Sequence, residues 1–151
     1  MLNLTYTLSD PPTEHDNKVL DVLASIITNG IESGYIDYWA KVRDYRWAIV
    51  NELVYPDGGR TFDATVTVLE HHEETDPALM GEPFELTAER MLTGVLRLVN
   101  GTVQGDSGYY DTPLAERLLD MLKNPADNDD FDAADADIII QATVLGDVVY
   151  G

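Results

Sequence analysis

The chain has 151 residues, no cysteine, and 28 acidic against 9 basic residues, a formal net charge of −19. That length suits a single domain, 1–151, with a core large enough to stand without staples, and the absence of cysteine excludes a disulfide framework, a thiolate nucleophile and a cysteine zinc site. Hydrophobic residues at 44% and charged residues at 25% are globular proportions, while the charge disfavours direct contact with nucleic acid or an anionic membrane.

In chain order, Leu2, Leu4, Tyr6 and Leu8 alternate with polar residues, which predicts a half-buried strand ended by Asp10-Pro11-Pro12. From about Asp16 to Ser33 the positions Val19, Leu20, Leu23, Ile26, Ile27 and Ile31 recur at helical spacing, and Gly34 is placed as a left-handed stop. Tyr38 to Val50 and Thr61 to Glu70 read as strands, the second with Phe62, Ala64, Val66 and Val68 on one face. Pro56-Asp57-Gly58-Gly59 between them predicts a hairpin, and His71 to Gly81 a polar loop.

Phe84 to Leu86 is a candidate short strand. Thr87 then caps a helix carrying Met91, Leu92, Val95, Leu96 and Val99 inward, stopped at Asn100-Gly101. Thr112-Pro113 opens another helix, through Leu122. The last runs from about Ala133 to Leu145, is ended by Gly146, and is expected to pack on the sheet, with Asp137 and Gln141 one turn apart on one face. Asp147 to Tyr150 is a candidate terminal strand. The expected fold is α+β: a small antiparallel β-sheet packed by three or four helices.

No run of about 18 apolar residues suggests a membrane span, and Met1 to Pro12 does not read as an export leader, so a cytoplasmic protein is expected. Glu70-His71-His72-Glu73-Glu74 collects metal-ligand types without the spacing of a zinc motif. The run Asp127 to Asp132 has calcium-loop composition, but counted from Asn128, Ala133 stands where the turn glycine belongs and Ile139 where the bidentate glutamate belongs. Asp132 and Asp135 instead suit the N-terminus of the last helix. Gly101, Gly105 and Gly108 lack the dinucleotide spacing, and none of the four serines lies in a nucleophile elbow. The sequence therefore predicts no enzyme, no cofactor and no metal.

The segment Tyr35 to Trp47 holds both tryptophans and three of the nine basic residues. Rings interleaved with cations suit a planar anionic ligand, so Tyr38, Trp39, Arg43 and Trp47 are candidate ligand-binding residues; an amphipathic strand with its aromatics in the core explains the same pattern. The carboxylates Asp127, Asp129, Asp130 and Asp132 are candidate partner-binding residues.

Two stretches resemble a widespread group of small uncharacterised tailed-bacteriophage and prophage proteins. One is Gly34, Ile36, Tyr38 and Trp39 after the first helix, where Ser33 and Tyr35 depart from the group's pattern. The other is Asp132-Ala133, Ala136-Asp137, Gln141 and the closing Leu145 to Gly151. The resemblance implies a phage origin and action in the host cytoplasm, and it implies no reaction. The function expected is that of a non-enzymatic accessory protein that binds and inhibits a host or defence protein with a basic surface, its acids mimicking nucleic acid. The alternative is a nucleotide-sequestering protein using the Tyr38 to Trp47 segment. No direct nucleic-acid or membrane binding is expected, and a homo-oligomer is compatible with either reading.

Overall fold

The computed structural model describes residues 3–49, 62–70, 81–103 and 112–150. Helix α1 (Glu14–Glu32) leads through a 3-10 turn, Tyr35–Tyr38, into strand β1 (Ala40–Ala48), followed by β2 (Asp63–Glu70), β3 (Phe84–Thr87), α2 (Ala88–Asn100), α3 (Thr112–Lys123) and α4 (Ala133–Val144). The three strands form an antiparallel sheet in the order β1-β2-β3. The fold is α+β, with a small antiparallel sheet and four helices among the described residues. The predicted hairpin turn at Pro56 to Gly59, and all of the predicted polar loop His71 to Gly81 except Gly81, lie outside the described residues. Among the described residues no helix is long and apolar enough to cross a membrane.

Capping chemistry sets the helix ends. Thr13 caps α1 by accepting from the Asp16 N–H, and Asp16 returns the bond to Thr13 N. Thr87 caps α2, and Asp132 with Asp135 forms the same reciprocal box at α4. Gly34, Gly101 and Gly146 follow α1, α2 and α4 at φ of 70°, 68° and 74°, a region that glycine enters without steric cost.

Ala64, Val66 and Val68 of β2 are buried beneath α1 and α2. In β1, Arg43 pairs with Thr67 and Arg46 with Thr65, so two residues, Asp44 and Tyr45, oppose Val66 alone. This bulge, with Asp44 at φ 57°, reverses the alternation. Ala40 and Val42 face the helices before it; Tyr45 does so after it, its phenol donating to Thr28 of α1 over 3.2 Å.

Helix α4 is apolar almost all round because its main contacts are with α1 and α2 rather than with the sheet, which corrects the expected packing. Glycines allow the close approach. A Cβ on Gly30 would lie 2.7 Å from Ile140 Cδ1, and one on Gly94 only 2.0 Å from Thr143 Oγ1. Arg97 of α2 donates to the carbonyls of Ala142 and Thr143 at the C-terminus of α4, where unpaired carbonyls and the helix dipole favour a cation.

Among the described residues neither expected terminal strand forms a strand. Leu4, Tyr6 and Leu8 are partly buried against the core, as their alternation requires, but the partner of the backbone is a side chain: Asn100 bonds both the N–H and the carbonyl of Leu4. At the other end Gln141 accepts from the N–H groups of Val149 and Tyr150 and donates to the Tyr150 carbonyl. In each case one amide satisfies the groups that a neighbouring strand would otherwise bond.

Candidate functional site

The turn after α1 carries alternate positions inward and outward. Ile36 and Trp39 are fully buried, while Tyr35 and Tyr38 are about half exposed. Beneath them α4 presents Asp137 and Gln141, one turn apart and both buried. Trp39 Nε1 donates to Asp137 Oδ1 at 2.7 Å, and the Tyr38 phenol donates to Oδ2 at 2.5 Å. Gln141 Nε2 adds a bond to Oδ1 at 3.1 Å and approaches the Tyr38 oxygen at 3.3 Å. The carboxylate thus meets three donors, the compensation that a buried charge requires.

The C-terminal segment closes this network. The Tyr150 ring stacks on Trp39 with centroids 5.8 Å apart and planes 8° from parallel, and its phenol donates to Glu70 Oε1 at 2.6 Å. Burial, then the bond to Glu70 and the charge of Glu70, pushes the Tyr150 phenol up to about 12. Burial likewise raises Tyr38 well above the ordinary tyrosine value, helped by the hydrogen bond and charge of Asp137. Both phenols therefore stay protonated as donors at neutral pH. The arrangement fixes geometry, and its phenols do not exchange protons in the physiological range.

The two stretches that carry the resemblance, some hundred positions apart in the chain, meet here: Gly34, Ile36, Tyr38 and Trp39 on one side, Asp137, Gln141 and Tyr150 on the other. A signal for the buried carboxylate was present in the sequence, since Asp137 immediately precedes three isoleucines. The spacing also placed Asp137 beside Gln141. Nothing in it indicated that the donors would be Tyr38 and Trp39.

The four candidate ligand-binding residues do not form one site. Tyr38 and Trp39 belong to the network around Asp137. Arg43 pairs with Thr67 on the outer face of the sheet, its Nε 3.9 Å from Asp44 Oδ2. Trp47 pairs with buried Ala64, on the opposite face, and packs on Phe62 with ring centroids 6.2 Å apart. The sheet itself stands between Arg43 and Trp47, so they cannot grip one small planar molecule. Trp47 is also 54% exposed, so the core explanation of the aromatic pattern holds for Trp39 and not for Trp47.

The acidic candidates occupy the connection between α3 and α4, and Asp127, Asp129, Asp130 and Asp132 are all exposed. The connection is held from within: Asn124 donates to Asp127, Asn128 to the carbonyls of Asp120 and Asn124, and Arg117 to the Asp130 carbonyl. Arg117 also pairs with Asp135 at 3.0 Å and lies over the Phe131 ring. The two ends of the connection are fixed against α1, the start by the last turn of α3, where the His15 ring bonds the Leu122 carbonyl, and the far end where Asn29 donates to the Phe131 carbonyl. It therefore runs along most of α1, roughly 20 Å at the helical rise.

Among the described residues no group of three or more His, Cys, Asp or Glu side chains is placed to hold a metal ion. Two open depressions, of about 330 and 490 Å³, lie at Glu14, His15 and Lys18 and at the N-terminal segment beside Asn100; neither is lined by Tyr38, Trp39, Arg43 or Trp47. No protein-family model, no curated protein and no solved structure matches the chain.

Proposed function

We propose that this chain is a non-enzymatic accessory protein that binds and inhibits a partner with a basic, nucleic-acid-binding surface. The observation that carries the reading is the acidic connection 124–132. Its aspartates are exposed while its backbone is tied to α1, α3 and its own asparagines. Carboxylates on a fixed backbone need no ordering when a cationic surface arrives, and a field of one sign speeds the encounter. The resemblance to phage and prophage proteins supplies the setting, a host cytoplasm during infection, in which a host or defence protein is the target.

The test is affinity capture with the wild type and with a triple variant, Asp127→Asn, Asp129→Asn and Asp130→Asn, which leaves the helix cap at Asp132 in place. A basic protein is expected to be retained by the wild type, lost from the variant, and displaced from its nucleic acid when the wild type is added. Equal retention by both, or retention without loss of nucleic-acid binding, overturns the reading.

A further inference from the structure

Charge alone explains attraction and gives little affinity: exposed ion pairs contribute up to about 1 kcal/mol each and are screened by salt. Interfaces are held by a few large side chains, tyrosine, tryptophan and arginine above all, ringed by polar contacts. Among the described residues the exposed large apolar side chains fall into two groups, Trp47 with Ile49 at the end of β1, and Tyr35, Tyr38 and Val149 around the turn after α1. The second group is at 47%, 50% and 57% exposure, above the network on Asp137.

A 3-10 turn has three residues per repeat, so Tyr35 and Tyr38 project one above the other, as Ile36 and Trp39 do inward. Val149 lies near Tyr38, because Gln141 accepts from the Val149 N–H and donates to the Tyr38 oxygen. The patch is rigid: Gly34 fixes the turn, Ser33 accepts from the Tyr35 N–H, and Asp137 holds the Tyr38 phenol. Its surroundings are acidic, with exposed Glu32 and Asp37 in the same segment. The acidic connection comes alongside where Asn29 meets Phe131 and Gly30 meets Ala136.

We infer that Tyr35, Tyr38 and Val149 are the anchor at which an arginine side chain of the basic partner docks, with the flanking carboxylates guiding it there. The inference rests on the reading above and deepens it. Arginine is the side chain that fits, because a weakly hydrated planar guanidinium lies flat on a phenol ring and still offers donors to neighbouring carboxylates; a lysine ammonium is compact and strongly hydrated.

The experiment titrates a short arginine-rich peptide, and a lysine-rich peptide of equal charge, into the wild type, Tyr35→Ala and the triple variant at Asp127, Asp129 and Asp130, with backbone amide shifts as the readout. Tyr35 contributes no bond to the Asp137 network, so its truncation leaves the fold intact. The wild type is expected to prefer the arginine peptide, with shifts at residues 33–38 and 149. Tyr35→Ala is expected to weaken arginine binding about two- to fivefold, the range of an exposed cation–π contact, and to leave lysine binding unchanged. Equal binding of the two peptides, or indifference to Tyr35→Ala, removes the anchor. If that binding is still lost in the triple variant, the acidic reading stands without it. Binding of neither peptide overturns both. Concentration-dependent dimerisation abolished by Tyr35→Ala would assign the patch to a second copy and also overturns the inference.

Discussion

Trp39 donates its indole N–H to Asp137 over 2.7 Å, tying the turn after α1 to the first half of α4. Both partners are buried, and the same carboxylate meets Tyr38 and Gln141. Removing it leaves the fully enclosed indole without an acceptor and takes one bond each from Tyr38 and Gln141, and a buried polar group left without a partner costs about 1–3 kcal/mol.

Asp137→Ala is therefore expected to lower unfolding stability by about 3 kcal/mol, and Trp39→Phe, which removes one donor and part of a packed ring, by about 2 kcal/mol. The double variant should cost less than the sum, because each change deletes the same bond. Urea denaturation of the three proteins measures this. Strict additivity would mean that the indole and the carboxylate do not depend on one another.

A second carboxylate at the start of α1 predicts a pH dependence. Asp16 is buried, which by itself raises its pKa. The donors around it, Thr13 N, Ser9 N, the Tyr6 phenol and the Thr13 side chain, outweigh burial and hold it at about 2. Because the folded value lies below the unfolded one, the stabilisation is fully present above about pH 4 and is lost as pH falls towards 2, an amount of about 2 kcal/mol. Asp16→Asn should therefore be less stable than the wild type by about this much at pH 7, with the gap narrowing near pH 2.5. A gap that stays constant with pH would show that Asp16 contributes nothing through its ionised form.

The crossing of α2 and α4 leaves no room for a methyl group. A Cβ at Gly94 would meet Thr143 Oγ1 at 2.0 Å, Thr143 N at 2.8 Å and the Ile139 carbonyl at 2.9 Å. Gly94→Ala gains about 1 kcal/mol in helix propensity yet is expected to destabilise by about 1–3 kcal/mol net, since overpacking forces the two helices apart. Adding Thr143→Ala should recover only part of the loss, because two of the three contacts are with backbone. Thermal melts of the single and double variants test this, and full recovery would place the whole conflict in the Thr143 hydroxyl.

Much of this fold could be read from local chemistry. Thr87 and Asp132 mark the starts of α2 and α4, and Gly34, Gly101 and Gly146 mark the ends of α1, α2 and α4, because capping depends on a few consecutive residues. The burial of β2 follows from strict alternation. What could not be read depends on distant groups. Leu4 and Tyr150 have the pattern of strands, but whether a strand or a side-chain amide satisfies their backbone is decided by Asn100 and Gln141. The network on Asp137 was legible as a carboxylate in an apolar helix, and its donors were not, since they come from a turn about a hundred positions earlier.

The bulge in β1 escaped the sequence for a different reason: one extra residue leaves composition untouched and changes only parity. Asp44 takes φ 57°, a region that costs most side chains about 1–2 kcal/mol and that aspartate tolerates better than branched residues. Its contact with Arg43 is 3.9 Å long and exposed, worth little. Asp44→Gly is therefore expected to leave stability within about 0.5 kcal/mol of the wild type, and Asp44→Val to cost about 1–2 kcal/mol. Deleting Asp44 is a different change. With the bulge gone, Tyr45 alone opposes Val66 and Arg46 still pairs with Thr65, so the strand alternates regularly and Tyr45, whose phenol reaches Thr28, keeps its inward face. The deletion variant should therefore fold, as both point variants do, losing only the added local twist of the bulge. Circular dichroism and urea melts of the three proteins decide it, and a deletion variant unable to fold would mean that β1 depends on the twist the bulge adds.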